Sequence, residues 1–236
     1  MREIDLIDIR SQLEEEMTWR SNEIRLLRNQ LAYIEDDEDK KRYRKALVVM
    51  LYSHYEGFCR TAFLIYVDAI NKAKVLRKAA NDYIVACSFA EEFQAYEDAS
   101  RKPEIYRKIF GNKLPDDTKL HSYARQVDFI SNMHSFLDKP VTIPDTVVDT
   151  ESNLWPVVLK KILFRLGLPY DAFKEYEGQI TMLLNRRNGI AHGRDKEGFD
   201  ENTYSEIEKA TFEVMKAVIE VIMSALKEKR YLKESC

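Results

Sequence analysis

Apolar residues recur along this chain at intervals of three and four over long stretches, which is the spacing of one face of an α-helix. Residues 4–35 carry Ile4, Ile7, Leu13, Met17, Ile24, Leu27, Leu31 and Ile34 in this way, with acidic and basic residues on the other faces. A first helix is predicted there. Residues 40–73 hold the strongest pattern of the first half, where Leu47, Met50, Leu51, His54, Phe58, Thr61, Ala62 and Ile65 make one broad stripe. The run Glu35-Asp36-Asp37-Glu38-Asp39 followed by Lys40-Lys41-Arg42 suits a helix start, where acids meet the positive end of the dipole and bases pair back one turn. His54 lies inside the stripe and reads as a core histidine. Glu56 has Arg60 four residues on, an ordinary stabilising pair, and Gly57 marks a close helix crossing. A third helix, rich in aromatics (Tyr83, Phe89, Phe93, Tyr96), is expected over 79–99.

The pattern lapses over residues 100–153. Pro103, Gly111, Pro115, Pro140 and Pro144 fall here, with four of the chain's six prolines among these helix breakers. A short helix over 120–137 is predicted, then an extended stretch at 140–144, since the residue before a proline disfavours the helical region. Helical spacing returns at 154–166 and stops at Gly167-Leu168-Pro169. Asp171 is the expected cap of a helix running to about His192. After a loop at 193–200 the last helix covers 203–232. Its Ile207, Thr211, Val214, Val218, Val221 and Ala225 form a heptad seam, fit to pack inside one monomer or against a second copy. The expectation is an all-α fold, an up-down helical bundle forming one domain over 1–236, with an irregular, variable elaboration at about 100–153.

Composition agrees with helices. Gly 7 and Pro 6 are few in 236 residues, and β-rich folds need more turn residues. A net charge of -3 excludes a bulk polyanion binder, so nucleic-acid recognition requires a local basic patch. Cys59, Cys87 and Cys236 have no metal-ligand spacing and are too scattered for a disulfide framework. Cys59 and Cys87 read as small core residues. His121 and His134 lie without clustered carboxylates, so no metal site and no cofactor is expected. No signal-peptide run opens the chain and no apolar stretch approaches the ~20 residues of a membrane span, which points to a cytoplasmic protein.

Candidate chemistry gathers in one stretch, Leu183-Leu184-Asn185-Arg186-Arg187-Asn188-Gly189-Ile190-Ala191-His192-Gly193. RNA self-cleavage needs a group to take the ribose 2′-OH proton, a cation to hold the phosphate, and a proton for the leaving 5′-oxygen. Histidine, with an ordinary pKa near 6.5, serves either transfer, and an always-charged arginine fork serves the phosphate. Asn188 and His192 are four apart on a helix and project side by side. Arg187 is five before His192, roughly 140° round the axis, and reaches the same cleft most easily where two helices face across a dimer axis. Arg186, Arg194 and Lys196 supply local positive charge for RNA phosphates. The same residues also suit a plain polar helix C-terminus capped by Gly193, and the spacing alone leaves both readings open.

The wider string Arg187-Asn188-Gly189-Ile190-Ala191-His192 resembles the signature of the HEPN superfamily, in which an arginine and a polar residue precede a histidine between two late helices. The run Leu51-Tyr52-Ser53-His54-Tyr55-Glu56-Gly57-Phe58 resembles the second helix of the RiboL-PSP-type HEPN subgroup, with its aromatic-glutamate-glycine step. This resemblance implies a metal-independent endoribonuclease, active as a homodimer with a composite site. Arg187 and His192 would carry cleavage, Asn188 would support them, and Glu56 would be a supporting residue. The products would be a 2′,3′-cyclic phosphate and a 5′-OH. It also implies a toxin or phage-defence effector restrained by an antitoxin or regulatory partner. Relatives that have lost cleavage leave the alternative of a non-catalytic dimerisation or binding module.

Overall fold

The computed structural model describes residues 2–98 and 118–233, together with Ser100, Glu104, Lys108 and Ile109. Among these residues there are eight α-helices and no β-strand, only isolated bridges that join Leu76 to Pro140 and Ala80 to Leu232. The fold is all-α, as expected. Pro103, Gly111, Pro115, Cys236 and the end of the helix predicted over 79–99 lie outside the described residues.

Helix α1 (Leu6–Asn29) starts where the Asp5 carboxylate accepts the N–H groups of Ile7 and Asp8 at 3.0 and 3.1 Å. Helix α2 (Asp37–Ala73) begins three residues earlier than the apolar pattern predicts. Asp36 accepts the Asp39 N–H at 2.9 Å, so the acidic run lies inside the first turn, and Lys40, Lys41 and Arg42 pair back to Asp37, Glu38 and Asp39. Most of the circumference of α2 is buried, with Leu51, Tyr55, Phe58, Phe63 and Tyr66 among its core residues. His54 is buried as the sequence suggests, its Nε2 3.1 Å from Glu23 of α1 and its ring edge-on to Trp19. The space left by Gly57 is taken by the Arg20 guanidinium, 3.4 Å from where a Cβ would stand.

The last two helices complete the bundle. Helix α7 (Glu177–Ala191) packs on α2 and on α8 (Glu201–Lys227), which also lies along α1. Ion pairs Arg28–Glu208 and Arg10–Glu220 show α1 and α8 to be antiparallel, and Arg44 bonds Glu201 where α2 and α8 both start. The heptad seam of α8 is spent inside the monomer: Ile207, Thr211, Val214, Val218 and Ala225 are buried and Val221 is half-buried. A second copy would have to use another face. Helix α8 also ends five residues short of the predicted 232, because Lys229 takes a positive φ of 54° and Tyr231 turns back into the core.

Between α2 and α7 the chain leaves the bundle and returns. The helix predicted over 79–99 is two, α3 (Asp82–Ser88) and α4 (Ala90–Glu97), broken at Phe89. The break aims the buried Phe89 ring at Phe93, Phe129 and Phe136, which ties these helices to α5 (Thr118–Leu137). The stretch 140–144 is extended as expected. Val141 donates to the Val75 carbonyl at 2.7 Å, and the Asn71 amide holds both backbone groups of Ile143. Helix α6 (Pro156–Arg165) stops at Gly167, whose φ of 66° closes the end as its sequence predicts. Asp171 does not cap α7. It is exposed, and a turn and a 3-10 segment (Lys174–Tyr176) intervene, because the Phe173 side chain is drawn into the core.

Candidate active site

Helix α7 is held by Ile180, Leu183 and Leu184, all buried, so the residues at 186–188 come to the rim of the bundle in a fixed orientation. The helix ends in a two-bond cap: Arg194 N–H reaches the Gly189 carbonyl at 2.8 Å and Gly193 N–H reaches Ile190 at 3.0 Å, with Gly193 at φ 68°. Only a residue at ease with positive φ closes the turn in this way. The loop then folds over the helix. Asp195 packs its carboxylate against Gly189, 2.5 Å from where a Cβ would be, and Gly198 lets the loop press on the α2 backbone at Lys41.

Arg187 is half-buried and turns inward. Its Nη1 donates to Asn188 Oδ1 at 2.8 Å and to Asn153 Oδ1 at 3.1 Å, and its Cζ lies 4.7 Å from the centroid of the Tyr52 ring. Every one of these partners is neutral. The three buried arginines among the described residues are each matched by a carboxylate: Arg20 with Glu16, Arg44 with Glu201, and Arg77 with Glu92. Among the described residues Arg187 has no such counter-ion, so its positive charge stays available to an anion.

Neither Asn153 nor Tyr52 is singled out by the sequence. Asn153 is carried by a tight turn in which Glu151 and Ser152 have positive φ (49° and 68°) and its own N–H reaches the Thr150 carbonyl at 3.1 Å. Such conformations cost on the order of 1 kcal/mol each in residues other than glycine and persist where the surroundings enforce them. Here Lys161 holds Glu151 through both carboxylate oxygens, at 2.8 and 2.9 Å. Two phenols of α2 hold the next residue: Tyr52 accepts the Leu154 N–H at 3.2 Å and Tyr55 donates to the Leu154 carbonyl at 3.3 Å. The Tyr52 hydroxyl also lies 3.4 Å from Asn153 Oδ1. Burial, and then the neighbouring Glu56 carboxylate, push the Tyr52 phenol up to about 12.

Glu56 thus stands beside Tyr52 at the site, and the ion pair expected with Arg60 does not form among the described residues. Arg60 points to solvent while Glu56, one turn after Tyr52, is half-buried beside the Tyr52 phenol. His192 caps α7 and is exposed, with no side-chain hydrogen bond among the described residues. Within one chain, then, Arg187 and Asn188 are brought together, while His192 is tied to them only through its backbone N–H, which donates to the Asn188 carbonyl at 3.0 Å.

The three other basic residues lie together. Arg186, Arg194 and Lys196 line one open cleft of about 450 Å³, with Phe199 at its base. The Arg186 guanidinium lies 5.3 Å from the Phe199 ring, and Lys45 donates to the Lys196 carbonyl at 3.1 Å. Asp195, Glu197 and Asp200 share this cleft, so its charge is mixed. Among the described residues no three His, Cys, Asp or Glu side chains come together as a metal site, and no helix is long and apolar enough to cross a membrane.

A protein-family model matches most of the chain that carries this arrangement. The MAE_28990-like HEPN family covers residues 9–231. The chain belongs to the HEPN superfamily. Its subgroup label differs from the RiboL-PSP one that the α2 run resembles, and superfamily membership is what the match establishes. No curated protein and no solved structure matches the chain.

Proposed function

We propose that this HEPN protein is a metal-independent endoribonuclease whose site is completed by a second copy of the chain. The observation that carries the reading is the Arg187 guanidinium, held by two amide oxygens and a ring and neutralised by none of them. A cation fixed in this way binds a phosphodiester and the charge that grows on it during attack. His192 of the second copy, at the exposed end of its own helix α7, takes the proton from the ribose 2′-OH as that oxygen bonds to phosphorus. The bond to the 5′-oxygen breaks, and a protonated imidazole returns a proton to it, leaving a 2′,3′-cyclic phosphate and a 5′-OH. Asn188 supports Arg187, and Arg186, Arg194 and Lys196 hold the flanking RNA. Glu56 acts by way of Tyr52. A role as a toxin or phage-defence effector under a regulatory partner is part of the proposal and rests on what the family resemblance implies.

Purified protein is incubated with total and transfer RNA in EDTA beside Arg187→Ala and His192→Ala proteins. Cleavage by the wild type, lower by about 100- to 10,000-fold in each variant, is expected. An equal mixture of the two inactive variants should regain about a quarter of wild-type activity. Half the random dimers are mixed, and each mixed dimer holds one intact site of two. No recovery on mixing would place the site within one chain. The second reading, a non-catalytic dimerisation or binding module, draws on the absence of any bond between His192 and Arg187 within the chain. It is upheld if no protein cleaves RNA and all three form the same dimer.

A further inference from the structure

Both hydrogens of Arg187 Nη1 are used, one by Asn188 Oδ1 at 2.8 Å and one by Asn153 Oδ1 at 3.1 Å. Nε and Nη2 have no hydrogen-bond partner among the described residues. Those two nitrogens make the side edge of the guanidinium, whose parallel N–H groups match two oxygens of a phosphate. The Tyr52 ring covers one face of the plane, so the guanidinium cannot swing away on that side.

Asn188 alone does not set this orientation. It neighbours Arg187 in sequence and rides on the same helix, and a single acceptor leaves the plane free to turn about the bond. The second acceptor, Asn153, comes from a different part of the chain. Its turn at 150–153 is held by Lys161 on α6, and the backbone of Leu154 is held by Tyr52 and Tyr55 on α2. The segment between α2 and α7 therefore reaches the reaction centre through one amide oxygen.

We infer that Asn153, backed by Tyr52, is the positioning residue for Arg187: it turns the guanidinium so that the Nε–Nη2 edge is presented to the scissile phosphate. The inference rests on the nuclease reading for its consequence in catalysis and on the observed geometry for the orientation itself. Asn153 touches Arg187 and not the substrate, so its removal should act only through the arginine.

The test uses the full chain in four forms: wild type, Asn153→Ala, Arg187→Ala and the double variant. Loss of a well-oriented group should lower kcat about 10- to 100-fold in Asn153→Ala, with KM within roughly threefold. In the Arg187→Ala background the same change should alter cleavage by less than about twofold, since the two residues act as a unit. Full activity in Asn153→Ala, or an equal loss in both backgrounds, overturns the inference and leaves Asn153 a loop anchor. A second measurement does not depend on cleavage. In ¹H–¹⁵N spectra of the labelled protein bound to a 2′-O-methyl RNA oligonucleotide, the Arg187 guanidinium, assigned by its loss in Arg187→Lys, should show separate, slowly rotating Nη signals. Asn153→Ala should merge them. Merged signals in the wild type overturn the inference even if RNA is cleaved. Separate signals that merge in Asn153→Ala uphold it even if no RNA is cleaved and the nuclease reading fails.

Discussion

Arg77 and Arg187 each lay a guanidinium over an aromatic ring, Cζ 4.5 Å from the centroid of Phe89 in one case and 4.7 Å from that of Tyr52 in the other. Their remaining surroundings differ in kind. Arg77 is buried, and all three of its nitrogens are bonded, to the Ser88 hydroxyl and carbonyl, the Phe136 carbonyl and the Glu92 carboxylate. Its charge is cancelled and its geometry saturated, which is what a joint between α3, α4 and α5 requires. Arg187 is half-buried, is bonded through one nitrogen to two amides, and keeps its charge. A buried cation with a carboxylate serves the fold, whereas one held by neutral acceptors still carries a charge that an anion can meet. The cost of burying an uncancelled charge is tolerable at Arg187 because solvent still reaches it.

The comparison makes predictions that can break it. The largest effect belongs to Arg187→Ala, which should lose at least about 100-fold in RNA cleavage while its unfolding midpoint moves by only a few degrees. A fall in stability as large as that of Arg77→Ala would make Arg187 a structural residue too, and the contrast would collapse. Arg77→Ala should do the reverse. Breaking a buried pair costs roughly 3–5 kcal/mol, or about 6–20 °C in a chain of this size, with cleavage kept below the transition.

Tyr52→Phe sharpens the comparison, because it keeps the ring under Arg187 and removes the hydroxyl that holds Leu154 and faces Asn153. A loss of roughly 1–2 kcal/mol in urea unfolding is expected, with less than a tenfold change in cleavage. A full loss of cleavage would show that the hydroxyl, and not the ring, governs Arg187.

The smallest effect concerns the two histidines. His192 is exposed, while His54 is buried and its pKa is lowered from the ordinary 6.5, by desolvation first and then by the Arg20 guanidinium, with Glu23 opposing. A base whose folded pKa is depressed binds fewer protons folded than unfolded. Its contribution is therefore fully present above pH 6.5 and is lost as pH falls toward the folded value. The unfolding midpoint should drop between pH 7 and 5, and His54→Gln should flatten that slope. An unchanged slope would mean that Glu23 compensates the burial.

How much of this was legible beforehand varies by element. Asp36, Gly167 and Gly193 mark helix ends by local chemistry, and their ends fall where a reader of the sequence would put them, within a few residues. Asp171 has the right residue type for a cap and is not one, because the burial of Phe173 outweighs a single capping bond. The predicted helix over 79–99 fails at Phe89 for a similar reason: an aromatic cluster with α5, distant in sequence, outweighs local propensity.

The arginine, amide and histidine of the candidate site could be picked out as a group because they sit within six residues at one helix end. Arg186, Arg194 and Lys196 were readable on the same ground, and they do meet in one cleft. Asn153 and Tyr52 carried no such signal. They stand 34 and 135 positions before Arg187 in the chain (187 − 153 and 187 − 52), and nothing in local pattern brings residues at that separation together. The sequence by itself determined the long helices of the bundle, their buried faces and the end of α7, all consequences of periodicity and capping within a few turns. Only the tertiary structure decided that the α8 seam is used inside the monomer, that Glu56 serves Tyr52 and not Arg60, and that Arg187 is met by amides without a carboxylate. Those outcomes depend on which surfaces pack together, and packing is settled by the whole core at once.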